Sequence, residues 1–330
     1  MEGNRAGEPC RRTVVEWGML FRQLEYFVAL AREKHFARAA EACFVSQPAL
    51  SEAIRKLEKE LKVPLVRRGH SFDGLTPEGE RLVLWARRIL ADHDALLTEV
   101  TALRSGLTGT LRLGVIPAAS STAALLVDPF CAAHPLVRVH MQTSLGSTEV
   151  LERVQRYELD AGLIYCEGQE THGCTVTPLY RERQVLIASA ELVSGTPDVI
   201  ELAEVLDLPL CLLHTGMRGR QLIDDMFAAQ QLAVSARLET DSVVALFAHV
   251  DTGRWASIVP HSWLASLGQR SGIRVVELAG EQPTATIGLV TLTEEPTPVL
   301  CAALMDVART VRVATPPGAL VLDNETRRIR

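Results

Sequence analysis

The sequence predicts an α/β protein in two parts, a helical head with a short hairpin and a larger body of alternating strands and helices. Three observations predict it. Residues 36–76, FARAAEACFVSQPALSEAIRKLEKELKVPLVRRGHSFDGLT, hold two helical spacings around a tight turn, followed by a basic hairpin. A single apolar stripe then runs from Glu78 to about Leu103. From Gly109 to about residue 312, strand-like and helix-like segments alternate.

In the head, Phe21, Leu24, Phe27, Val28 and Ala31 mark a first helix beginning near Met19. Phe36, Ala39, Ala40 and Cys43 mark a second, with Ala37 and Ala42 small enough for a close crossing. The turn Phe44-Val45-Ser46 ends on a natural N-cap, and Pro48 falls in the first turn of the third helix, where its missing N–H costs nothing. Leu50, Ile54, Leu57 and Leu61 form that helix's apolar stripe. Gln47, Ser51, Arg55, Lys56 and Lys59 take the outward face. The pattern is a helix-turn-helix whose second helix offers amide, hydroxyl and guanidinium groups to a major groove. Leu65-Val66-Arg67-Arg68 and Leu75-Thr76, separated by Gly69 and Asp73-Gly74, form a wing.

Pro77 can open the next helix. Its Leu82, Trp85, Ile89, Leu96, Val100 and Leu103 recur at threes, fours and sevens, a stripe fit for a second copy or for packing within one chain. Arg104-Ser105-Gly106 and Thr108-Gly109 break the helix and give a hinge near 104–109.

In the body, TLRLGVI, STAALLVDPFCAAH, VRVHMQTS, TEVLERVQRYE and LDAGLIY read βαβαβ and imply a parallel sheet. RQVLIAS, ELAEVLD, PLCLLH, GRQLIDDMFAAQQ, RLETD, VVALFAHVD, WASIVP and VVEL make a second set. ATIGLVTL and PTPVLCAALMDVARTV close the chain and can return to the first sheet. Two lobes joined by crossing strands leave a cleft at the strand C-terminal ends, where open α/β sheets hold ligands. The tail TPPGALVLDNETRRIR has no periodic pattern.

The chain's formal net charge of −6 hides a division. Residues 22–88 hold 13 Lys+Arg against 9 Asp+Glu, about +4, which leaves about −10 for the rest. Local field decides contact with phosphate, not the chain total. No run of about 18 apolar residues exists, so no membrane span is expected. Residues 1–18 lack a signal peptide's apolar stretch, are expected to be a disordered extension or an upstream start, and argue for the cytoplasm. The seven Cys form no C-x-x-C pair, hence neither a zinc pattern nor a disulfide framework. No G-x-S-x-G elbow, P-loop, G-x-G-x-x-G after a strand, or H-E-x-x-H appears, so neither an enzyme nor a bound cofactor is expected.

The head closely resembles the N-terminal domain of LysR-type transcriptional regulators. Ala39-Ala40, Ser46-Gln47-Pro48-Ala49-Leu50-Ser51, Ile54, Leu57-Glu58, Val63-Pro64-Leu65, Arg68 and Leu75-Thr76-Pro77-Glu78-Gly79 carry the resemblance in order. It extends more loosely to about residue 312. Glu52 departs from the family's frequent Arg, so base readout there must differ, and Val66 replaces the usual Phe under the hairpin. The resemblance implies a winged helix-turn-helix over 19–77 and a dimerising linker helix and hinge over 78–108. It implies a two-lobed, type 2 periplasmic-binding-protein-like effector domain over 109–314, with lobe 1 at 109–180 and 284–314 and lobe 2 at 181–283. A tail over 315–330 follows. The partners implied are double-stranded DNA, a small-molecule effector, a second copy in a homodimer and homotetramer, and RNA polymerase as a further candidate.

The candidate DNA contacts are Arg38, Ser46, Gln47, Pro48, Ser51, Arg55, Lys56, Arg67, Arg68 and Thr76, and the candidate dimer contacts Leu82, Trp85, Ile89 and Leu96. The candidate effector residues lie on loops that enter helices: Pro117, Ala119, Ser120 and Ser121; Ser147 and Thr148; His214, Gly216 and Met217; and Ser242. Hydroxyls and backbone N–H groups at helix N-termini favour a small anion, with Arg218 and Arg220 nearby. Each hydroxyl alone is more readily a simple N-cap, and it is the convergence of four such loops on one cleft that raises the set. A second reading is thiol-based sensing through Cys166 and Cys174, close in sequence with only His172 near them. A third is a hydrolytic or binding α/β protein without DNA function.

Overall fold

A computed structural model describes residues 17–68, 72–267, 272–283 and 285–311 of the 330. The sequence expectations for residues 1–16 and for the tail lie outside those residues. The chain divides into two compact units, Met1–Leu97 and Thr98–Arg330, each described by itself.

The first unit is the helical head. Helix α1 (Trp17–Glu33) takes in Trp17 and Gly18, two residues assigned to the extension from sequence. Helix α2 (Phe36–Ala42) and helix α3 (Gln47–Leu61) follow, then β1 (Val66–Arg68), β2 (Phe72–Leu75) and the start of the long helix α4 (Pro77–Ser105). Leu50, Ile54 and Leu57 are fully buried against Phe27, Leu30, Ala39 and Ala40, each such side chain contributing about 1.5–3 kcal/mol where aliphatic and large. Leu61 is 44 % exposed, because the stripe drifts off the core in the helix's last turn. Ala39 and Ala40 make the close helix crossing, while Ala37 and Ala42 face solvent. Strands β1 and β2 pair antiparallel as the wing. Gly79 is required where α4 passes the wing, since a Cβ there would collide with the Leu65 carbonyl.

The second unit begins in the last turns of α4, which runs on to Ser105 before Gly106 turns the chain at φ +88°. Strand β3 (Gly109–Val115), a 3-10 turn at Pro117–Ala119, α5 (Ala124–Ala133), β4 (Val137–Gln142), α6 (Ser147–Gln155) and β5 (Ala161–Tyr165) give the expected βαβαβ run. The chain continues through β6 (Cys174–Glu182) and β7 (Gln184–Ser189) into β8 (Val199–Ile200), α7 (Leu202–Val205), β9 (Cys211–Leu213) and α8 (Arg218–Ala229). Then come β10 (Leu238–Thr240), α9 (Val243–Asp251), β11 (Ser257–Pro260), α10 (Ser262–Leu267) and β12 (Ile273–Leu278). Strand β13 (Ala285–Leu292) and α11 (Val299–Ala308) close the described chain.

The first lobe is a five-stranded sheet in the order β4-β3-β5-β13-β6, with β3 parallel to β4 and β5, and β13 antiparallel to β5 and β6. The returning strand and helix at the chain's end join this sheet, as expected from sequence. All five residues of β5 are buried, as befits a central strand covered on both faces. The second lobe holds β11-β7-β12-β8 and the parallel pair β10-β9. The chain passes between lobes at Arg183 and again between β12 and β13.

Candidate functional site

The candidate DNA face of the head is the outer surface of α3 and its approach turn. Ser46 caps α3, its hydroxyl accepting from the Ala49 N–H at 3.4 Å, and Pro48 sits in the first turn. Ser46, Gln47, Pro48, Arg55 and Lys56 are exposed and Ser51 half-buried, so the N-terminal end of α3 presents its polar groups outward. Arg55 pairs with Glu52 at 3.1 Å, both largely exposed. Arg38 is committed to helix geometry, donating to the Glu33 carbonyl at 2.6 Å.

The wing is tied to α3 by Glu58, which the sequence matched to the family without giving it a role. The Glu58 carboxylate accepts from the N–H groups of Leu65 and Val66 at 2.9 and 3.2 Å, which sets where the hairpin leaves the helix. The family match singles out Glu58 from its neighbours Lys59 and Glu60, but nothing in the sequence gives it this partner. Arg67 is exposed on β1, and Arg68 is described in its backbone alone. Thr76 serves the fold: its hydroxyl donates to the Pro64 carbonyl at 2.8 Å and accepts from the Gly79 N–H at 3.0 Å, capping α4.

Along α4, Trp85, Ile89 and Leu96 are 58 %, 40 % and 59 % exposed, and Leu97, Val100 and Leu103 also face solvent. Leu82 instead packs half-buried against the head's core. The Arg88 guanidinium lies over the Trp85 ring, 5.9 Å from its centroid.

The cleft of the second unit has a volume of about 810 Å³. The predicted residues Pro117, Ser120, Ser121, Ser147, Gly216, Met217 and Ser242 line it. Three others do not. Ala119 is fully buried in the first lobe's core, since the 3-10 turn points its side chain inward. Thr148 faces solvent and donates to Gln169 Oε1 at 3.3 Å. His214 is exposed, and its ring nitrogen accepts from the Gly216 N–H at 3.1 Å, bracing the loop. Arg220 is also drawn away, buried between Asp224 and Glu239 with 2.8 Å contacts to each. Arg218 lines the cleft, its nearest recorded carboxylate being Asp225 at 3.8 Å.

Three helices start on this cleft. Ser242 caps α9 through the Ala245 N–H at 3.3 Å, but no side chain among the described residues caps α6 after Gly146 or α8 after Met217. Ile116, Leu145, Leu213, Ile258, Pro260 and Trp263 give the rest of the lining an apolar character. The lobes are bonded across it: Trp263 Nε1 donates to the Ala118 carbonyl at 2.7 Å. Behind the wall, Glu182 is buried and accepts from Tyr165 Oη at 2.8 Å and Ser262 Oγ at 2.9 Å. Burial pushes its carboxyl up to about 7, against the two hydrogen bonds that favour the charged form.

The cysteines argue against a poised thiol. Cys166 and Cys174 are free, and neither lines the cleft. Burial, with Glu167 beside it, pushes the Cys166 thiol up to about 11, and burial raises Cys174 as well. Among the described residues no group of three or more His, Cys, Asp or Glu is placed to hold a metal ion, and no helix is long and apolar enough to cross a membrane.

The LysR-family bacterial regulatory helix-turn-helix profile matches residues 21–80, and the LysR substrate binding domain profile matches residues 104–312. The chain belongs to the LysR family. It is 33 % identical over 258 residues to a probable hydrogen peroxide-inducible genes activator of Streptomyces viridosporus, covering 76 % of this chain and 80 % of that protein. It is 30 % identical over 285 residues to the HTH-type transcriptional regulator IlvR of Caulobacter vibrioides, covering 86 % and 95 %. Among solved structures, a full-length OxyR variant from Pseudomonas aeruginosa superposes with a TM-score of 0.71 at 27 % identity, covering 89 % of this chain and 96 % of that one. Full-length CbnR complexed with its target DNA shares the fold, with a TM-score of 0.62 at 22 % identity over 88 % and 99 %. This LysR-family protein is thus a DNA-binding transcriptional regulator, with a winged helix-turn-helix and a two-lobed effector domain, and the relatives it matches are transcriptional regulators.

Proposed function

We propose that this LysR-family regulator changes its grip on an operator when a small anionic metabolite enters the cleft of its second unit. The observation that carries this is the convergence of α6, α8 and α9 on one cleft, two of them without a side-chain cap, beside the Arg218 guanidinium. Helix N-termini present N–H donors and the positive end of the backbone dipole, which favours a carboxylate or similar anion. The apolar lining suits the ligand's carbon body. A ligand that prefers a closed cleft shifts the population of lobe arrangements, which would alter the spacing of the DNA-binding heads and the bend of the operator.

On the head, Gln47, Ser51 and Arg55 read base edges or hold phosphate, with Arg67 and Arg68 of the wing on the backbone. Trp85, Ile89 and Leu96 pair with a second copy into a dimer, and pairs of dimers form the tetramer. The reading is of a cytoplasmic protein with no catalytic step. Thiol sensing is the weaker account: several relatives' names speak of peroxide, but burial raises the Cys166 and Cys174 thiols, the opposite of what a poised thiolate needs.

A thermal-shift titration of the full chain with small carboxylates, sulfate and phosphate tests the ligand class, because a ligand bound only by the native state raises the melting temperature. The reading expects at least one carboxylate to raise it and to change operator affinity. Stabilisation by apolar or cationic compounds alone would overturn it.

A further inference from the structure

Strand β7 opens with Gln184, and this residue stands apart from the rest of the cleft. It is only 3 % exposed, yet it lines the cleft wall. Its side-chain Oε1 is buried with no hydrogen-bond partner among the described residues. The backbone on which it stands is held on both sides by one residue of the crossing segment. Gln184 N–H donates to Gln282 Oε1 at 2.6 Å, and Gln282 Nε2 donates to the Gln184 carbonyl at 2.9 Å. The backbone that carries the side chain is therefore fixed in place, while the side-chain amide oxygen is left unsatisfied.

That combination is costly for an apo fold. A buried amide oxygen without a donor costs the fold the desolvation free energy of the group. Such groups in a cleft are the points where a ligand supplies the missing partner. Leaving one unpaired also rejects analogues strongly, since a site built for a hydrogen bond discriminates against a ligand lacking it far better than an apolar wall does.

We propose that Gln184 is the specificity-determining residue of the cleft, and that the effector is a small carboxylate bearing a second, neutral hydrogen-bond donor, a hydroxyl or an amide N–H. This rests on the anionic reading of the cleft and narrows it. The carboxylate lies at the α6 and α8 N-termini near Arg218, and the second donor meets the Gln184 amide oxygen. The carbon skeleton lies on the apolar lining formed by Ile258, Pro260 and Trp263. The mirror assignment of the amide, with nitrogen and oxygen exchanged, would instead call for a ligand acceptor; a hydroxyl serves either, so pyruvate, whose keto oxygen only accepts, separates the two, and pyruvate bound as tightly as lactate overturns the donor assignment.

The full-length protein is titrated calorimetrically with matched pairs differing by one hydroxyl: lactate and propionate, malate and succinate, salicylate and benzoate. The hydroxylated member of at least one pair binds more tightly, on the order of tenfold, the worth of one well-placed hydrogen bond in a dry site. Gln184→Leu abolishes that preference and leaves the affinity for the plain carboxylate unchanged. The unliganded variant melts at or above the wild-type temperature, because an apolar group replaces an unsatisfied one.

Equal affinities within every pair that binds, or a preference that survives in Gln184→Leu, overturn this assignment and leave the anionic cleft standing. No response to any carboxylate overturns both. A lower melting temperature for unliganded Gln184→Leu shows that the amide holds the fold together and overturns the assignment as well.

Discussion

Tyr165 Oη donates to Glu182 Oε2 at 2.8 Å and so links a residue of the cleft wall to a carboxyl buried where the chain passes between lobes. Ser262 of the second lobe donates to the other oxygen at 2.9 Å. One carboxyl thus accepts from both lobes, and its protonation state bears on how firmly they are joined. Burial outweighs the two donated bonds and raises its pKa to about 7.

That shift makes stability depend on pH. The native carboxyl holds its proton more tightly than the unfolded chain does, so the native state binds more protons between about 4.5 and about 7. The stabilisation is complete below 4.5 and is lost as pH rises through 7. Across this window the wild type is expected to lose on the order of 3 kcal/mol relative to Glu182→Gln, which cannot ionise. Urea unfolding of both proteins at several pH values measures it. Parallel profiles would show that Glu182 is ionised in the fold throughout.

On the head, the exposed Glu52 carboxylate holds the guanidinium of Arg55, a proposed DNA contact. An exposed pair of this kind contributes little to stability, so breaking it leaves the fold intact. Glu52→Gln is expected to tighten binding to all duplexes and steepen the salt dependence by about one unit, as one more phosphate contact forms. Gln47→Ala is expected to do the opposite kind of damage, costing about 1–3 kcal/mol at the preferred site and little on random DNA. Titrations at several salt concentrations read both, and identical slopes for Glu52→Gln and wild type would remove Arg55 from the DNA face.

Much of this architecture is legible in the sequence where pattern and packing coincide. Leu50, Ile54 and Leu57 are one stripe and one buried face, and the βαβαβ run follows from alternation alone. Strand β6 was not legible, because Pro178 and the register shift opposite Ile287 and Gly288 break its alternation. The roles of Glu58, Glu182 and Gln184 were not legible for a shared reason. Each is a polar residue among polar neighbours, and what sets it apart is a partner, or the lack of one, brought by distant chain. Ala119, Thr148 and His214 lie on correctly read loops but point to the core, to solvent and into the loop itself. Sequence spacing locates a helix N-terminus without saying which of its first side chains turns inward.

The exposed stripe on α4 makes a prediction about assembly. Trp85, Ile89 and Leu96 each leave large apolar area in water, which a partner helix would remove at about 25 cal/mol per Å². Ile89→Asp is expected to convert the dimer to monomer in sedimentation while the head keeps its fold, since Leu50, Ile54 and Leu57 do not depend on that face. Leu82→Asp is expected to destabilise the head itself, because Leu82 packs on the head's core. A dimeric Ile89→Asp protein with normal operator affinity would place the assembly contact elsewhere.

Two serines of the cleft, alike in sequence, are expected to behave differently. Ser120 Oγ donates back to the Ile116 carbonyl at 3.3 Å, so its proton is already engaged within its own turn. Ser147 Oγ accepts from the Tyr165 N–H at 3.2 Å, which leaves its own O–H available to a ligand at the α6 N-terminus. Ser147→Ala therefore removes a donor from the anion and leaves the Tyr165 N–H in β5 without that acceptor, a cost of about 1–3 kcal/mol to the fold. Effector affinity should fall by roughly tenfold in Ser147→Ala and by much less in Ser120→Ala, with operator binding without effector unchanged in both. Calorimetry with whichever carboxylate stabilises the wild type reads the affinities, and thermal unfolding reads the separate stability cost. An equal loss in both variants would mean that the Ser120 hydroxyl turns from Ile116 to the ligand. A full response in both would move the anion away from the α6 N-terminus.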